Sequence, residues 1–328
     1  MTNRMTNGMT NNDIVYDYVV VDSKLLAYNC FHRKQPAIHM LKVLSTALSV
    51  NKIKFRKVLY TADWNKSAFR LSLQPDYKGH RDVQKAKMSN DKQKEQKEFI
   101  KAYNNLYNIF NYVGANVQHI NAQTEADDTM MLVRYLRPDS NILLVSLDED
   151  WYYQIRNTGT NKGNTHLLKY SQNKLIKTEQ EVEELFGLPF DLLLDYSALA
   201  GQRKDNIFGV RQLGKSRFKK LLMDLPKEEW WGVLEDLIST RKYGMELHPS
   251  AKEKTVFQQY HHNLIMMSPM SLEAFDRKDI EYCENQLDKQ PIELPYDEFV
   301  YKCVEELDTF PTIDLKDYTL LSKGNVNN

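Results

Sequence analysis

Three short apolar runs in this sequence each stop at an aspartate. Tyr18-Val19-Val20-Val21 ends at Asp22, and Lys57-Val58-Leu59-Tyr60-Thr61-Ala62 ends at Asp63. Asn141-Ile142-Leu143-Leu144-Val145-Ser146-Leu147 ends at Asp148, with Asp150 following two residues later. A further acidic group, Glu125, Asp127 and Asp128, lies in AQTEADDTMM (122–131), just ahead of an apolar run. Carboxylates this close repel one another, and desolvating them is costly unless a cation compensates. A set of oxygen donors with no partnering His or Cys suits Mg²⁺ or Mn²⁺ rather than zinc. Glu125 and Asp128 share a helix face at i,i+3 spacing while Asp127 points elsewhere, so ligands divided between two ions would use both directions. The plainer alternative is that Thr124 caps a helix whose acidic first turn complements the dipole. Each strand-end aspartate, taken alone, also reads as a turn or cap residue.

The elements that would carry these residues can be read from the pattern around them. All three apolar runs are short, aliphatic or β-branched, and lack clean alternation, which is how strands buried on both faces of a parallel sheet read. Helical patterns separate them, at about 35–50, 91–112 and 125–137. Strand–helix–strand order predicts an α/β fold with a mostly parallel central sheet and right-handed crossovers. The strand C-termini of such a sheet lie along one edge, where the ligand sites of open α/β sheets sit. Asp22, Asp63 and Asp148 are therefore expected to emerge together, beside the acidic helix start at 125–128.

The chain has 328 residues, enough to bury a sizeable core, and its 44 Lys/Arg balance 44 Asp/Glu. Net charge thus predicts no polyanion partner, but the distribution is uneven. Residues 78–101 hold eight basic against four acidic residues, residues 202–220 hold seven against one, and residues 178–195 hold six acidic and none basic. The first basic run also suits a solvated helix face. The second is more specific, because Gly209 and Gly214 flank a tight apolar turn followed by KSRFKKLL. Glycines let backbone amides approach a phosphate and Lys/Arg neutralise its neighbours, a helix–hairpin–helix type of signal for the sugar-phosphate backbone. Cys30, Cys283 and Cys303 are scattered, with neither zinc-knuckle spacing nor a disulfide framework, and fit a reducing cytoplasm. No run of about 18 apolar residues predicts a membrane span. The repetitive start MTNRMTNGMTNN reads as a polar tail at 1–12.

VVVDSKLLAY, YTADWNKSAFRLSLQPDYKGHRD, TEADDTMM, VSLDEDWYYQI and LAGQRKDNIFGVRQLGKS occur in that order. In this the chain resembles the 5′-nuclease (flap endonuclease) superfamily, particularly the ribonuclease H and 5′–3′ exonuclease members of its phage branch. The segment HHNLIMMSPM (261–270) also looks like the start of that family's C-terminal helical region. The resemblance implies a PIN-like catalytic domain at 13–195 with a helical arch at about 76–112. It further implies a helical DNA-binding domain at 196–310, with a helix–three-turn–helix at about 196–223, and a C-terminal tail at 311–328. The implied activity is Mg²⁺-dependent phosphodiester hydrolysis at 5′ ends, flaps and RNA primers, with Mn²⁺ as substitute. DNA with flaps, nicks or free 5′ ends and RNA–DNA hybrids are the implied partners, with a sliding clamp or single-strand binding protein as further candidates and the host cytoplasm as location.

Carried over residue by residue, Asp22, Asp63, Glu125, Asp127, Asp128, Asp148 and Asp150 match the family's acidic cluster, and Asp205 matches its late aspartate. In YKGHR, Tyr77 would stack on the terminal base, while Lys78 and Arg81 would reach the scissile phosphate alongside Asp148. Lys204, Gly209, Arg211, Gly214, Lys215 and Arg217 would meet the DNA backbone, and the hairpin would hold a K⁺ ion. The sequence departs from the family at Gln202, where many relatives have aspartate, and at Gln212, where a second glycine is usual. Lys215 also sits one position early. Two other readings compete: a junction-binding protein that has lost productive metal binding, and a PIN-type ribonuclease, which would have no use for the basic hairpin. His261 and His262 are expected to be surface or packing residues, and Trp230, Trp231, Met266 and Met267 to be helical core rather than a base-stacking platform.

Overall fold

Val19, Val20 and Val21 project alternately into two different cores, and that alternation fixes the layering. In the computed structural model, which describes residues 14–31, 36–61, 66–112, 124–251, 253–289, 294–307, 313–324 and 326, a five-stranded sheet lies between two helical layers. Its strands are β1 (Val15–Asp22), β2 (Lys54–Thr61), β3 (Ile142–Val145), β4 (Thr165–Lys169) and β5 (Lys174–Ile176), in the order β2-β1-β3-β4-β5. The first four are mutually parallel and β5 closes the edge as an antiparallel hairpin with β4. Successive side chains of a strand face opposite sides, so Val19, Val21, Val58, Tyr60, Leu143 and Val145 enter one core. Val20, Leu59, Ile142 and Leu144 enter the other. Burial on both faces explains why the strands read as continuous apolar runs.

Helices α1 (Ser23–Cys30), α2 (Pro36–Val50), α3 (Ala68–Leu73), α4 (Gly79–Ala86) and α5 (Asn90–Tyr112) precede α6 (Ala126–Leu136). After the sheet come α7 (Glu179–Phe186), α8 (Leu193–Ala200), α9 (Lys215–Leu221), α10 (Lys227–Ser239), α11 (Val256–Met267), α12 (Arg277–Asp288), α13 (Tyr296–Leu307) and α14 (Leu315–Lys323). The α6 face of the sheet shares one continuous core with α8, α10, α11 and α12, through Met130, Val133, Leu199, Trp230 and Cys283. On the other face Leu41, Leu44 and Tyr103 pack with Phe299 and Cys303 of α13 and Tyr318 and Leu321 of α14. All three cysteines are buried, and none forms a disulfide.

Two features of the packing among the described residues bear on the expected domains at 13–195, 196–310 and 311–328. No break in the core separates 13–195 from the helices after it, and α13 returns to the opposite face of the sheet from α11 and α12. The segment expected as a tail from 311 holds a docked helix, α14, anchored where Ser45 donates to Asp317 at 2.5 Å. The tail expected at 1–12 lies outside the described residues. Trp230 and Met266 are core residues, 1% exposed each, as expected.

Candidate active site

At the C-terminal edge of the sheet, Asp22 is the last residue of β1, and Asp148 comes after β3 as N-cap of a 3₁₀ turn, Glu149–Gln154. Ser146 couples the two strand ends: its hydroxyl donates to Asp22 Oδ2 at 2.9 Å and accepts from the Asp148 amide at 3.0 Å. Asp22 and Asp148, with Glu125, Asp127, Asp150 and Asp205, line one cleft, as their positions in the sequence predict. Asp63 lies outside the described residues. The helix start at 125–128 differs by one residue from the expected one, because Glu125 rather than Thr124 occupies the N-cap position. Its side chain makes no cap bond and turns into the site instead.

Glu125 is the hub of that side. Its Oε1 accepts from Lys78 Nζ at 2.7 Å and from the Ser67 amide at 3.3 Å. Its Oε2 accepts from the Tyr77 hydroxyl at 3.0 Å and from Arg70 at 3.3 Å. Burial by itself would raise the Glu125 carboxyl, but Lys78 and Arg70 hold it below the usual carboxylate range. Lys78 sits at φ 53°, a left-handed conformation unusual for a side-chain-bearing residue, with its amide bonded to the Asp205 carbonyl at 3.0 Å. Arg81, one helical turn on, donates to Asp205 Oδ1 at 2.5 Å.

Asp128 and Tyr77 are more deeply buried than their assigned roles imply. Asp128, expected among the metal ligands, is fully buried outside the cleft and receives a two-pronged ion pair from Arg70 at 2.5 and 2.9 Å. Glu125, Asp127 and Asp128 have carboxylate oxygens close enough together to hold an ion, and the Arg70 guanidinium lies against the Asp128 member of that set. Tyr77, expected to stack on a base, is 4% exposed and packs with Ile207 and Met266, so its ring forms a wall of the site. Sequence reading missed Arg70 altogether. It is 3% exposed and also donates to the carbonyls of Met266 and Ser268, tying α3 and α6 to the end of α11.

The far side of the cleft is basic. Gln202 Nε2 donates to Asp150 Oδ1 at 2.8 Å, and Lys204 Nζ lies 3.3 Å from Asp150 and 3.6 Å from Asp148. Burial and then the Asp148 charge push the Asp150 carboxyl above its ordinary range. Among the described residues no His or Cys lines the cleft and its carboxylates offer oxygen donors, and the closeness of Asp148 and Asp150 calls for compensating positive charge. Such a set fits a hard divalent cation such as Mg²⁺ or Mn²⁺.

Beside the cleft, α8 leads through β6 (Gly201–Gln202), β7 (Ile207–Phe208) and β8 (Val210–Arg211) into α9, and β8 pairs with β9 (Glu246–Leu247). Gly209 is required there, because a Cβ would stand 2.1 Å from the Leu199 carbonyl oxygen. Asn263 of α11 locks this hairpin by donating to the carbonyls of Ala198 and Phe208 at 2.8 and 3.0 Å. A second cavity, of about 480 Å³, opens over the hairpin between Arg203, Arg211, Arg217, Gly214 and His248. Lys215 is turned away from it, over the Phe186 ring at 3.6 Å.

No family model matches the chain. Among curated proteins it is 26% identical over 209 residues to the 5′–3′ exonuclease of Buchnera aphidicola subsp. Schizaphis graminum (strain Sg), covering 60% of this chain and 66% of that protein. It is 25% identical over 304 residues to DNA polymerase I of Geobacillus stearothermophilus, covering 87% of this chain but 29% of the polymerase. The chain therefore spans just under two-thirds of the first relative's length and less than a third of the second's. Among solved structures, the zinc-bound T5 5′-exonuclease has the same fold, with a TM-score of 0.58 at 18% identity, covering 89% of this chain and 98% of that one. A complex of the bacteriophage T5 flap endonuclease with DNA and metal ions gives 0.56 at 17% identity, covering 89% and 100%. The chain thus shares the fold of the T5 5′-exonuclease and flap endonuclease structures and is similar in sequence to a curated 5′–3′ exonuclease.

Proposed function

We propose that the protein is a Mg²⁺-dependent, structure-specific 5′ nuclease that hydrolyses phosphodiesters at flaps, nicks and free 5′ ends, including RNA primers on DNA. The observation that carries this reading is the carboxylate cleft at the sheet edge, rimmed by Lys78 and Arg81 and adjoining the basic hairpin. Asp22, Asp127 and Asp148 are the residues that would hold metal. A bound divalent ion would supply hydroxide at neutral pH, and a pair of ions would also clamp the attacking and leaving oxygens. Arg81, with its side chain 45% exposed, is the group best placed to exchange Asp205 for a substrate phosphate. Lys78, held over Tyr77 with Nζ 5.0 Å from the ring centroid, adds a second donor at the same rim. The hairpin with Gly209, Gly214, Arg211 and Arg217 would grip the duplex through its backbone, with K⁺ as the ion its carbonyls would take.

The same reading gives the protein a role in replication or recombination, with a sliding clamp or single-strand binding protein as partner and the host cytoplasm as the place of action. No helix among the described residues is long and apolar enough to cross a membrane. Lys204 and Gln202 on Asp150 favour one competing reading, a junction-binding protein that no longer cuts. Incubation with 5′-labelled flap, nicked duplex and RNA–DNA hybrid, with Mg²⁺ or EDTA, separates the two. Metal-dependent release of short 5′ products is expected. Asp148→Asn should abolish that release and leave flap binding within about twofold. Tight binding with no cleavage by the unaltered protein, in either Mg²⁺ or Mn²⁺, would hand the case to the junction binder.

A further inference from the structure

One end of the cleft already contains a protein cation. Lys204 stands within 3.3 Å of Asp150 and 3.6 Å of Asp148, and Gln202 fixes the other oxygen of Asp150 at 2.8 Å. Both side chains come from one short rigid segment. β6 is paired with β7, and Gly201 at φ 78° allows an approach in which a Cβ would stand 2.4 Å from the Gly209 amide nitrogen. The turn Arg203–Asp205 comes immediately after, so Lys204 is aimed by backbone that α8 and α11 hold in place. An ammonium and a dication cannot share the same two carboxylates, because Mg²⁺ needs its oxygens at about 2.0–2.1 Å and repels a neighbouring cation.

We infer that this chain holds one tightly bound divalent ion, at the end of the cleft formed by Asp22 and Asp148, and that Lys204, steadied by Gln202 on Asp150, takes the place of a second ion. The inference rests on the metal-dependent reading above and narrows it to a single ion plus a lysine. Lys204 then serves as a fixed positive charge beside the bound phosphate, at a point where an exchangeable ion would otherwise be recruited. Its side chain is 53% exposed, so replacing it should not unfold the protein.

The test is a Mn²⁺ titration of the full chain, with free Mn²⁺ measured by electron paramagnetic resonance and folding verified by thermal melting. The unaltered protein should bind one tight ion per chain. The double variant Gln202→Asp with Lys204→Ala should bind two, and Lys204→Arg should stay at one. Two equally tight ions in the unaltered protein would overturn the inference, as would a double variant that still binds one. No tight Mn²⁺ at all would overturn the metal-dependent reading itself, a result the stoichiometry distinguishes from the other two.

Discussion

At the scale of single residues, Arg70 decides how the acidic cluster is tolerated. Asp128 is fully buried, and the Arg70 guanidinium meets both of its carboxylate oxygens. Burial alone would lower the Arg70 pKa, but Asp128 and Asp127 hold it well above its ordinary value. Removing one partner of a buried pair leaves an uncompensated charge and costs about 3–5 kcal/mol. Arg70→Ala should therefore lose about that much in urea unfolding, whereas Arg70→Met combined with Asp128→Leu should recover most of it. A single variant as stable as the parent would show that the pair contributes little. Arg70 was illegible in the sequence because its partners lie 55, 58 and 196 positions away, and a lone arginine in a six-residue helix carries no spacing signature. The carboxylates were legible because their type and their place after apolar runs both point to one edge. His166 makes a second residue-scale case. Its Nδ1 lies 2.7 Å from the Tyr16 hydroxyl in a hydrogen bond, and burial lowers its pKa to about 4. The unfolded chain then binds the extra proton between pH 6.5 and about 4, so stability present above pH 6.5 is lost as pH falls through that window. The expected loss is roughly 3 kcal/mol. His166→Phe should flatten that part of a stability-versus-pH curve, and an unchanged slope would assign the acid loss to other groups.

At the scale of elements, the strands and the hairpin were readable because each has a local cause. Strands buried on both faces leave continuous apolar runs, and the hairpin needs glycine where backbone meets backbone. The C-terminal helices were not readable this way. In DLKDYTLLSK only Tyr318, Leu321 and Ser322 are buried among the described side chains, too short a stripe to show periodicity, and the partner face on α2 lies far away in sequence. Burying Ile313, Tyr318 and Leu321 contributes on the order of 1.5–3 kcal/mol each as an upper estimate. Deleting residues 311–328 should consequently lower unfolding stability by at least about 3 kcal/mol. Cleavage per folded molecule should persist, because α14 covers the α2 and β2 side of the sheet and not the carboxylate cleft. A truncated chain of unaltered denaturation midpoint would mean that α14 is only loosely docked in solution.

At the scale of the whole molecule, a neutral chain must approach a polyanion through local fields alone. Forty-four basic and 44 acidic residues cancel overall, and the acidic cleft would itself repel phosphate without its own cations. Arg203, Arg211 and Arg217 open onto the hairpin cavity, while Lys78 and Arg81 rim the cleft. Arg211 and Arg81 already have carboxylate partners, Glu246 and Asp205, so they must trade them for phosphate and release fewer counterions in net. Each phosphate neutralised on duplex DNA contributes a slope of about −0.9 to log K against log salt. With roughly four net contacts, flap binding measured in EDTA should show a slope near −4 between about 50 and 200 mM salt. Arg217→Ala should bring it up by about one unit. A slope no steeper than about −1 would mean that the hairpin does not grip the backbone. The nucleic-acid interface would then have to be sought on the basic face of α4 and α5 instead.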